Sequence, residues 1–264
     1  MLAPRELPQQ YLEWNRRYGS PFGFRTATSC RNRLLRKLHL IDLVYKWDPF
    51  AFQSNNTTRA FEYPWAFHVN SPPKGRVLEV GGGMSGFQFV LSGHGCHVVN
   101  IDPGQKELRD TWSYNSHGFA ELNKQFGTNV VIRSTTIDKA GLEDDSFDCA
   151  YCISVLEHIP SLAMASTMKH VWQCLKPGGR FVLTVDLFLN LKPFTRRIRN
   201  EYGENVDLKR LISYAPFVLE QGNVEELFGF DQFDAQAILS KLETYLIGFD
   251  YPTLVQCLVL RKPT

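Results

Sequence analysis

The feature that most constrains the fold is a regular alternation of β-rich and helix-compatible segments between residues 75 and 186. Such alternation is typical of right-handed β-α-β units arranged around a parallel sheet. The predicted strands are Arg76–Val80, His97–Ile101, 130–133, Phe147–Ile153 and 180–185. The predicted helices are 86–92, 105–126 and 162–175, and the turn-forming sequence at 176–179 ends the last of them.

The segments on either side of this alternating region have a different composition. Residues 1–70 are rich in aromatic side chains and arginine, and apolar spacing predicts a helix between about residues 29 and 45. We therefore expect an N-terminal helical cap over 1–70 and an α/β domain over 71–264. Within that domain, the basic segment 187–215 is predicted to be an insertion near the active site. The run 254–260 is predicted to be a terminal strand that pairs antiparallel at the sheet edge.

Composition and charge exclude several classes of protein. The 29 Lys and Arg residues nearly balance the 27 Asp and Glu residues, so bulk charge gives no reason to expect a nucleic-acid partner. No apolar run approaches the roughly 18 residues of a membrane span, and the first residues do not read as a secretory signal. The six cysteines are scattered. Cys149 and Cys152 lie three residues apart on one predicted strand and so face opposite sides of the sheet. These features predict a cytoplasmic protein with no membrane partner.

A glycine-rich loop follows the first predicted strand. Glycines at positions 81, 83 and 86 have the G-x-G-x-x-G spacing between that strand and the next predicted helix. Glycine permits a tight turn there and lets a ligand approach the backbone closely. By itself the pattern fits a dinucleotide, S-adenosylmethionine, or merely a tight turn.

Two acidic residues narrow these alternatives. Asp102 ends the second strand about twenty residues after Gly81, where a carboxylate accepts hydrogen bonds from ribose hydroxyls. The alternative is that Asp102 only forms a turn ahead of Pro103. Glu79 lies inside the first strand, where an anion gives no advantage to a pyrophosphate but is compatible with an ammonium or sulfonium group. Glu79 therefore disfavours a nicotinamide cofactor.

Further motifs complete a recognisable pattern. Ser146-Phe147-Asp148 starts the fourth strand, Leu-Glu-His-Ile-Pro follows it at 156–160, and Leu-Lys-Pro-Gly-Gly precedes the fifth strand at 175–179. Together with the glycine loop and Asp102, they make residues 76–186 resemble the class I S-adenosylmethionine-dependent methyltransferases, in the small-molecule branch with a type 11-like domain. The resemblance implies a Rossmann-like, seven-stranded, mostly parallel sheet with an antiparallel last strand. It also implies S-adenosylmethionine as cofactor and S-adenosylhomocysteine as product.

The same resemblance implies roles for individual residues. Cofactor contacts are expected from Glu79, Gly81, Gly82, Gly83, Asp102 and Ser154. The sequence departs from the family at the acid that usually contacts the adenine, and this contact stays open among Thr136, Ile137 and Asp138. Upstream, Arg59 or Tyr63 is a candidate for the cofactor carboxylate. The alternative is that Tyr63 simply packs a helix onto the sheet.

His158 and Asp186 are the candidates for a catalytic role. Both follow predicted strands at the edge where open α/β sheets bind ligands. A hydroxyl acceptor usually needs a base, whereas an amine in its neutral form does not. Alternatively, His158 caps the next helix and Asp186 shapes the pocket. The seven histidines show no convincing metal-ligand spacing, so no metal is predicted.

The sequence therefore predicts an enzyme that transfers a methyl group to an oxygen or nitrogen of a small-molecule acceptor. A nicotinamide-dependent oxidoreductase and a non-catalytic S-adenosylmethionine-binding protein of the same fold are the alternatives, and aminopropyl transfer is a minor one. The segments 1–70 and 187–215 are expected to cover the acceptor, and their arginines suggest an anionic acceptor as one possibility.

Overall fold

A single seven-stranded sheet forms the centre of the computed structural model, which describes residues 1–22, 49–52, 55–70, 74–104 and 116–264 together with Leu34 and Leu38. The strands are β1 Arg76–Val80, β2 His97–Ile101, β3 Val131–Arg133, β4 Phe147–Ile153, β5 Leu175–Phe188, β6 Val218–Gln221 and β7 Thr253–Arg261. Their order is β3-β2-β1-β4-β5-β7-β6. Strands β1 to β5 are parallel, and β7 is antiparallel to both of its neighbours. The predicted α/β sheet with a reversed last strand is confirmed.

Two details differ from the sequence prediction. Strand β5 begins at Leu175 and includes the predicted turn at 176–179, because backbone hydrogen bonds join Gly178 and Gly179 to Lys262. Strand β7 was expected at the sheet edge, but it lies between β5 and β6. Residues 253–260 are all buried, so β7 needs a neighbour on each side, and the short β6 covers it.

The described helices lie on both faces of the sheet. They are α1 Gln9–Tyr18, α2 Arg59–Val69, α3 Gly86–Gly93, α4 Ser116–Phe126, α5 Ser161–Cys174, α6 Leu208–Ile212 and α7 Ala235–Ser240. Short 3-10 turns occur at Pro49–Phe52, Ile137–Lys139, Leu156–His158 and Leu242–Thr244. Most of the helix predicted between residues 29 and 45, and residues 105–115 of the predicted 105–126 helix, lie outside the described residues. No described helix has the length and apolar character needed to cross a membrane.

The sheet separates the two larger hydrophobic clusters that the described residues form. On one face, aromatic residues of α1, α2 and α3, including Trp14, Phe61 and Phe87, pack with Cys149 of β4. The other face is covered by α5 and α6 and includes Cys152. The two cysteines therefore point to opposite sides, as their spacing predicted. The domain boundary proposed at residue 70 stays a prediction.

Candidate active site

The glycine loop turns sharply at the carboxyl end of β1. Gly81 and Gly83 have φ values of +72° and +52°, in the left-handed region that favours glycine. A Cβ atom at Gly81 would lie 2.6 Å from Cγ1 of Val155, in the loop after β4. Gly81 is therefore needed both for its backbone conformation and for its close contact with the neighbouring loop.

Asp102 closes this loop from the end of β2. Its Oδ2 accepts a hydrogen bond from the Gly83 amide at 2.8 Å, and its Oδ1 accepts one from the Gly104 amide at 2.7 Å. Two backbone N–H groups thus fix the orientation of the carboxylate. This position beside the glycine loop is the one that the sequence predicted.

A buried amide network supports the loop from below, and the sequence prediction missed it. Asn100 Oδ1 accepts from the Gly82 amide at 3.2 Å, and its Nδ2 donates to the Gly83 carbonyl at 3.1 Å and to Gln88 Oε1 at 2.8 Å. Asn100 is fully buried in β2. The sequence signal that could have revealed this network is Asn100 itself, a polar residue in a mostly apolar strand. We define residues 79–83, Asn100 and Asp102 as the glycine pocket.

Glu79 lies at the floor of the glycine pocket. Its side chain is buried, and Oε2 receives no hydrogen bond from any described residue. Burial, together with the nearby charge of Asp102, raises the pKa of Glu79 to about 8. A Cβ atom at Gly82 would lie 2.7 Å from Glu79 Oε1, so the loop backbone rests directly on this carboxyl group.

The residues predicted to flank the adenine lie in the 3-10 turn after β3. The side chain of Ile137 is buried, whereas Asp138 is exposed. A hydrogen bond from Thr136 lowers the pKa of Asp138. Asp138 is exposed and charged, whereas Ile137 is apolar. At this edge of the sheet, Asp138 therefore offers a polar contact to a bound aromatic ring, and Ile137 offers an apolar one.

A second group of polar side chains meets at the carboxyl ends of β4 and β5. Glu62 of α2 is buried, and its Oε1 accepts hydrogen bonds from Ser154 Oγ at 2.6 Å and Thr184 Oγ1 at 2.5 Å. Ser154 has a φ of +45°, and its amide donates to the Thr184 carbonyl at 3.0 Å. Helix α2 is thereby joined to both strand ends. Glu62 and Thr184 were not predicted as site residues.

Arg59 and Tyr63, the upstream candidates, also lie on α2. Arg59 Nη1 is 2.6 Å from Glu62 Oε2, so the guanidinium pairs with a carboxylate of its own helix. Tyr63 donates to Asn55 Oδ1 at 3.2 Å and accepts from Ser85 Oγ at 3.4 Å, and its ring stacks on Phe87. The structure thus places Tyr63 against the start of α3, next to the glycine loop.

Asp186 and Glu157 form a buried pair of acids beside this group. The Asp186 amide donates to Glu157 Oε1 at 3.0 Å, and Asp186 Oδ2 accepts from the Tyr251 hydroxyl at 2.8 Å. Burial raises the pKa of Glu157 to about 7, and burial with the charges of Glu157 and Glu62 raises the pKa of Asp186 well above its usual value. We define Glu62, Glu157 and Asp186 as the carboxylate cluster.

His158 lies at the accessible side of the carboxylate cluster. Its Nδ1 bonds the Tyr202 carbonyl, which only accepts, so Nδ1 carries the hydrogen and Nε2 has the lone pair in the neutral ring. Nε2 is 4.0 Å from Glu157 Oε1, and the side chain is 39% exposed. One side-chain ligand atom each of His158, Glu157 and Asp186 lies within 4.8 Å of the other two, and His158 is open to solvent.

The structure brings the predicted residues into two adjoining groups. The glycine pocket holds Glu79, Gly81, Gly82, Gly83 and Asp102. The other group contains Ser154, His158 and Asp186, with Arg59 next to them, and the Gly81–Val155 contact joins the two loops. Tyr251 was missed because it precedes β7, far along the chain from every motif, and no local pattern marks it.

A parallel sheet with a glycine loop after β1 and an acidic residue after β2 is typical of Rossmann-like proteins. Proteins of this class bind nucleotide-containing ligands at that edge of the sheet. Residues 52–215 match the family model described as methyltransferase domain. The chain belongs to this family. The resemblance to class I S-adenosylmethionine-dependent methyltransferases is thereby confirmed.

Curated relatives match a shorter stretch of the chain. Ubiquinone biosynthesis O-methyltransferase of Hahella chejuensis is 36% identical over 108 residues, which are 40% of this chain and 41% of that protein. Sterol 4-C-methyltransferase strm-1 of Caenorhabditis elegans is 30% identical over 108 residues, which are 40% of this chain and 29% of that protein. The matched stretch thus spans less than half the length of these relatives.

Solved structures share the fold over most of the chain. The 1,6-didemethyltoxoflavin-N1-methyltransferase of Burkholderia thailandensis, solved with S-adenosylhomocysteine, covers 100% of this chain and 95% of its own at 16% identity, with a TM-score of 0.53. The [4+2]-cyclase SpnF covers 86% of this chain and 94% of its own at 15% identity, with a TM-score of 0.56. At these identities the similarity concerns the fold alone.

Proposed function

We propose that this chain transfers the methyl group of S-adenosylmethionine to an oxygen or nitrogen atom of a small-molecule acceptor. The observation that carries the proposal is the glycine pocket of a methyltransferase-family chain, where Asp102 is held by the amide of Gly83. Family membership supports the cofactor, and the comparisons offer no support for a nicotinamide-dependent oxidoreductase. The fold also occurs in a cyclase, so transfer needs a direct test.

In this proposal the glycine pocket binds the cofactor. Asp102 accepts hydrogen bonds from the ribose hydroxyls, and Gly81, Gly82 and Gly83 pass under the methionyl part. Glu79, whose Oε2 has no described hydrogen-bond donor, lies where a cationic group of the cofactor gives it a partner. Ile137 and Asp138 flank the adenine. Ser154, Arg59 and Tyr63 surround the methionyl end, and Arg59, whose Nη1 pairs with Glu62, is the candidate to contact the cofactor carboxylate as well.

Calorimetric titration with S-adenosylhomocysteine tests this assignment. The Asp102→Ala variant loses charge-assisted hydrogen bonds worth roughly 1.5–3 kcal/mol each, so we expect its affinity to fall by about tenfold or more. Asp231→Ala is the matched control, because Asp231 is an exposed acid paired with Lys209. Equal affinity of the Asp102→Ala variant and the wild type would remove Asp102 from the site.

His158 and Asp186 are the proposed residues at the acceptor. Methyl transfer is an in-line displacement, so the protein mainly aligns the nucleophile with the methyl group. His158 Nε2 is available to take a proton from a hydroxyl, and the buried Asp186 orients the nucleophile. For a hydroxyl acceptor, we expect His158→Ala and Asp186→Ala to lose roughly 10²–10⁴-fold in rate while still binding S-adenosylhomocysteine.

The rate is measured as the amount of tritium that passes from the labelled methyl group of S-adenosylmethionine to fractions that contain candidate small-molecule acceptors. Full activity of both variants would show that alignment alone is sufficient. Binding of S-adenosylhomocysteine without transfer to any fraction would instead favour a non-catalytic binding protein.

A further inference from the structure

The carboxylate cluster has more acidic groups than the described residues around it can pair. Glu62, Glu157 and Asp186 are all at most 2% exposed. Arg59 is the one described residue with a permanent positive charge that forms an ion pair with them, and it contacts Glu62 at 2.6 Å. A buried carboxylate without a cation or full hydrogen bonding is unfavourable. The cluster therefore favours a positively charged ligand.

One oxygen atom of the cluster has no donor of its own. Glu157 Oε1 accepts the Asp186 amide, but Oε2 is buried and receives no hydrogen bond from the described residues. Nearly all buried polar atoms in proteins have a partner, so this carboxylate oxygen is open to a donor from water or from a ligand. An alkylammonium group offers three N–H donors together with a positive charge.

Aromatic rings lie next to the same acids. The rings of Tyr202 and Tyr251 stack with their centres 4.1 Å apart, and Phe188 lies 5.6 Å from Tyr251. The Tyr251 hydroxyl is bound to Asp186. Aromatic faces beside carboxylates attract organic cations through the electron-rich ring face.

The arginines of the insertion that the structure describes do not form ion pairs with these acids. Arg196, Arg197 and Arg199 are exposed. Arg197 donates to the Arg199 carbonyl at 2.7 Å, and Arg199 Nη1 is 3.5 Å from Glu204 Oε1. They lie on the surface of the segment that the sequence associated with an anionic acceptor.

We propose that the acceptor carries a protonated amine, and that Glu157 and Asp186 bind this ammonium group beside Tyr251. The inference rests on the proposed function and names the class of its substrate. It concerns recognition and does not specify which atom of the acceptor receives the methyl group. Because burial raises the pKa of Glu157 to about 7, a bound cation also favours the ionised form of that residue.

Matched probes that share an apolar stem and carry end groups of different charge test this proposal. The protein is saturated with S-adenosylhomocysteine, EDTA is added to remove metal ions, and each probe is titrated calorimetrically. One series consists of phenethylamine, phenethyl alcohol and hydrocinnamate, and a smaller series consists of butylamine, butanol and valerate. We expect the amine to bind about tenfold more tightly than the alcohol, and the carboxylate to bind most weakly.

Neutral variants separate charge recognition from a structural role. Glu157→Gln and Asp186→Asn should lose the preference for the amine while their affinity for the alcohol stays the same, and the exposed Glu243→Gln should keep the preference. A purely structural role would instead weaken all three probes together. Variants are compared only if they retain wild-type affinity for S-adenosylhomocysteine, and the wild-type comparison is decisive without them.

The outcomes also distinguish this inference from the proposed function. If S-adenosylhomocysteine binds but neither amine binds more tightly than its alcohol, including the case in which no probe binds, the inference is wrong and the proposed function stands. If S-adenosylhomocysteine itself does not bind, the proposed function fails first.

Discussion

The glycine pocket and the carboxylate cluster adjoin one another but are built in different ways. The glycine pocket comes from one local stretch, residues 79–104, and its side chains bond mainly to backbone groups. The carboxylate cluster joins α2, the loop after β4, the end of β5 and Tyr251 through side-chain contacts. The first is fixed by local geometry. The second depends on distant segments and on charges in a water-poor interior, so single substitutions there should have larger effects on stability.

Removal of Arg59 should have the largest effect on stability. The Arg59→Ala variant leaves Glu62 buried without its cation, which we expect to lower the free energy of unfolding by about 3–5 kcal/mol. The control is Arg199→Ala, whose exposed pair with Glu204 should contribute at most about 1 kcal/mol. Denaturant titration measures both. Equal losses in the two variants would contradict the contrast drawn between the carboxylate cluster and an ordinary surface pair.

A side chain at Gly81 should have the next largest effect, because it disturbs the contact between the two groups. Gly81→Ala combines a left-handed backbone with a Cβ atom 2.6 Å from Val155 Cγ1, and we expect a loss of about 2–4 kcal/mol. Gly95→Ala is a close control, since Gly95 has a φ of +89° but nothing near its Cβ position. Val155→Ala in the Gly81→Ala background should recover part of the difference. No recovery in denaturant titrations would show that backbone strain alone accounts for the loss.

The smallest expected effect per residue is a dependence of stability on pH. On folding, the pKa of Glu79 rises from 4.5 to about 8, and that of Glu157 rises from 4.5 to about 7. Between the unfolded and the folded pKa of each group, the folded state therefore binds more protons than the unfolded state. The ligand-free protein should therefore become less stable as the pH rises from about 5 to about 8. We expect about 1–2 kcal/mol per group, after structural relaxation absorbs part of each shift. Thermal unfolding should show a flatter profile for Glu79→Gln and for Glu157→Gln, and a midpoint that rose with pH would contradict the buried state of these acids.

The same contrast explains which parts of the site the sequence predicts. Asp102 and the glycines were predictable because their geometry follows from the order of β1, loop and β2. Asp186 and His158 lie near the ends of β5 and β4, at the sheet edge where the sequence predicted them; their roles stay predictions. Glu62 and Tyr251 were not predictable, because their positions depend on how α2 and the segment before β7 pack against the sheet.

Two details in which the structure differs from the sequence prediction have a similar origin. The turn-like sequence at 176–179 is held in β5 by Lys262, which lies more than eighty residues further along the chain. The internal position of β7 depends on β6, whose sequence has only a short apolar run. Local sequence patterns carry no information about such long-range partners.

The place of β7 in the sheet also sets an order of assembly during synthesis. Strands β1 to β5 can pair with one another as soon as they leave the ribosome, since each partner precedes β5 or belongs to it. Strand β6 has β7 as its one described strand partner, and β7 is translated roughly thirty residues later, or about two to six seconds at ordinary elongation rates. Throughout that interval the outer edge of β5 and the strand β6 lack the partner that they have in the folded sheet, and the second half of the sheet closes only when β7 inserts between them.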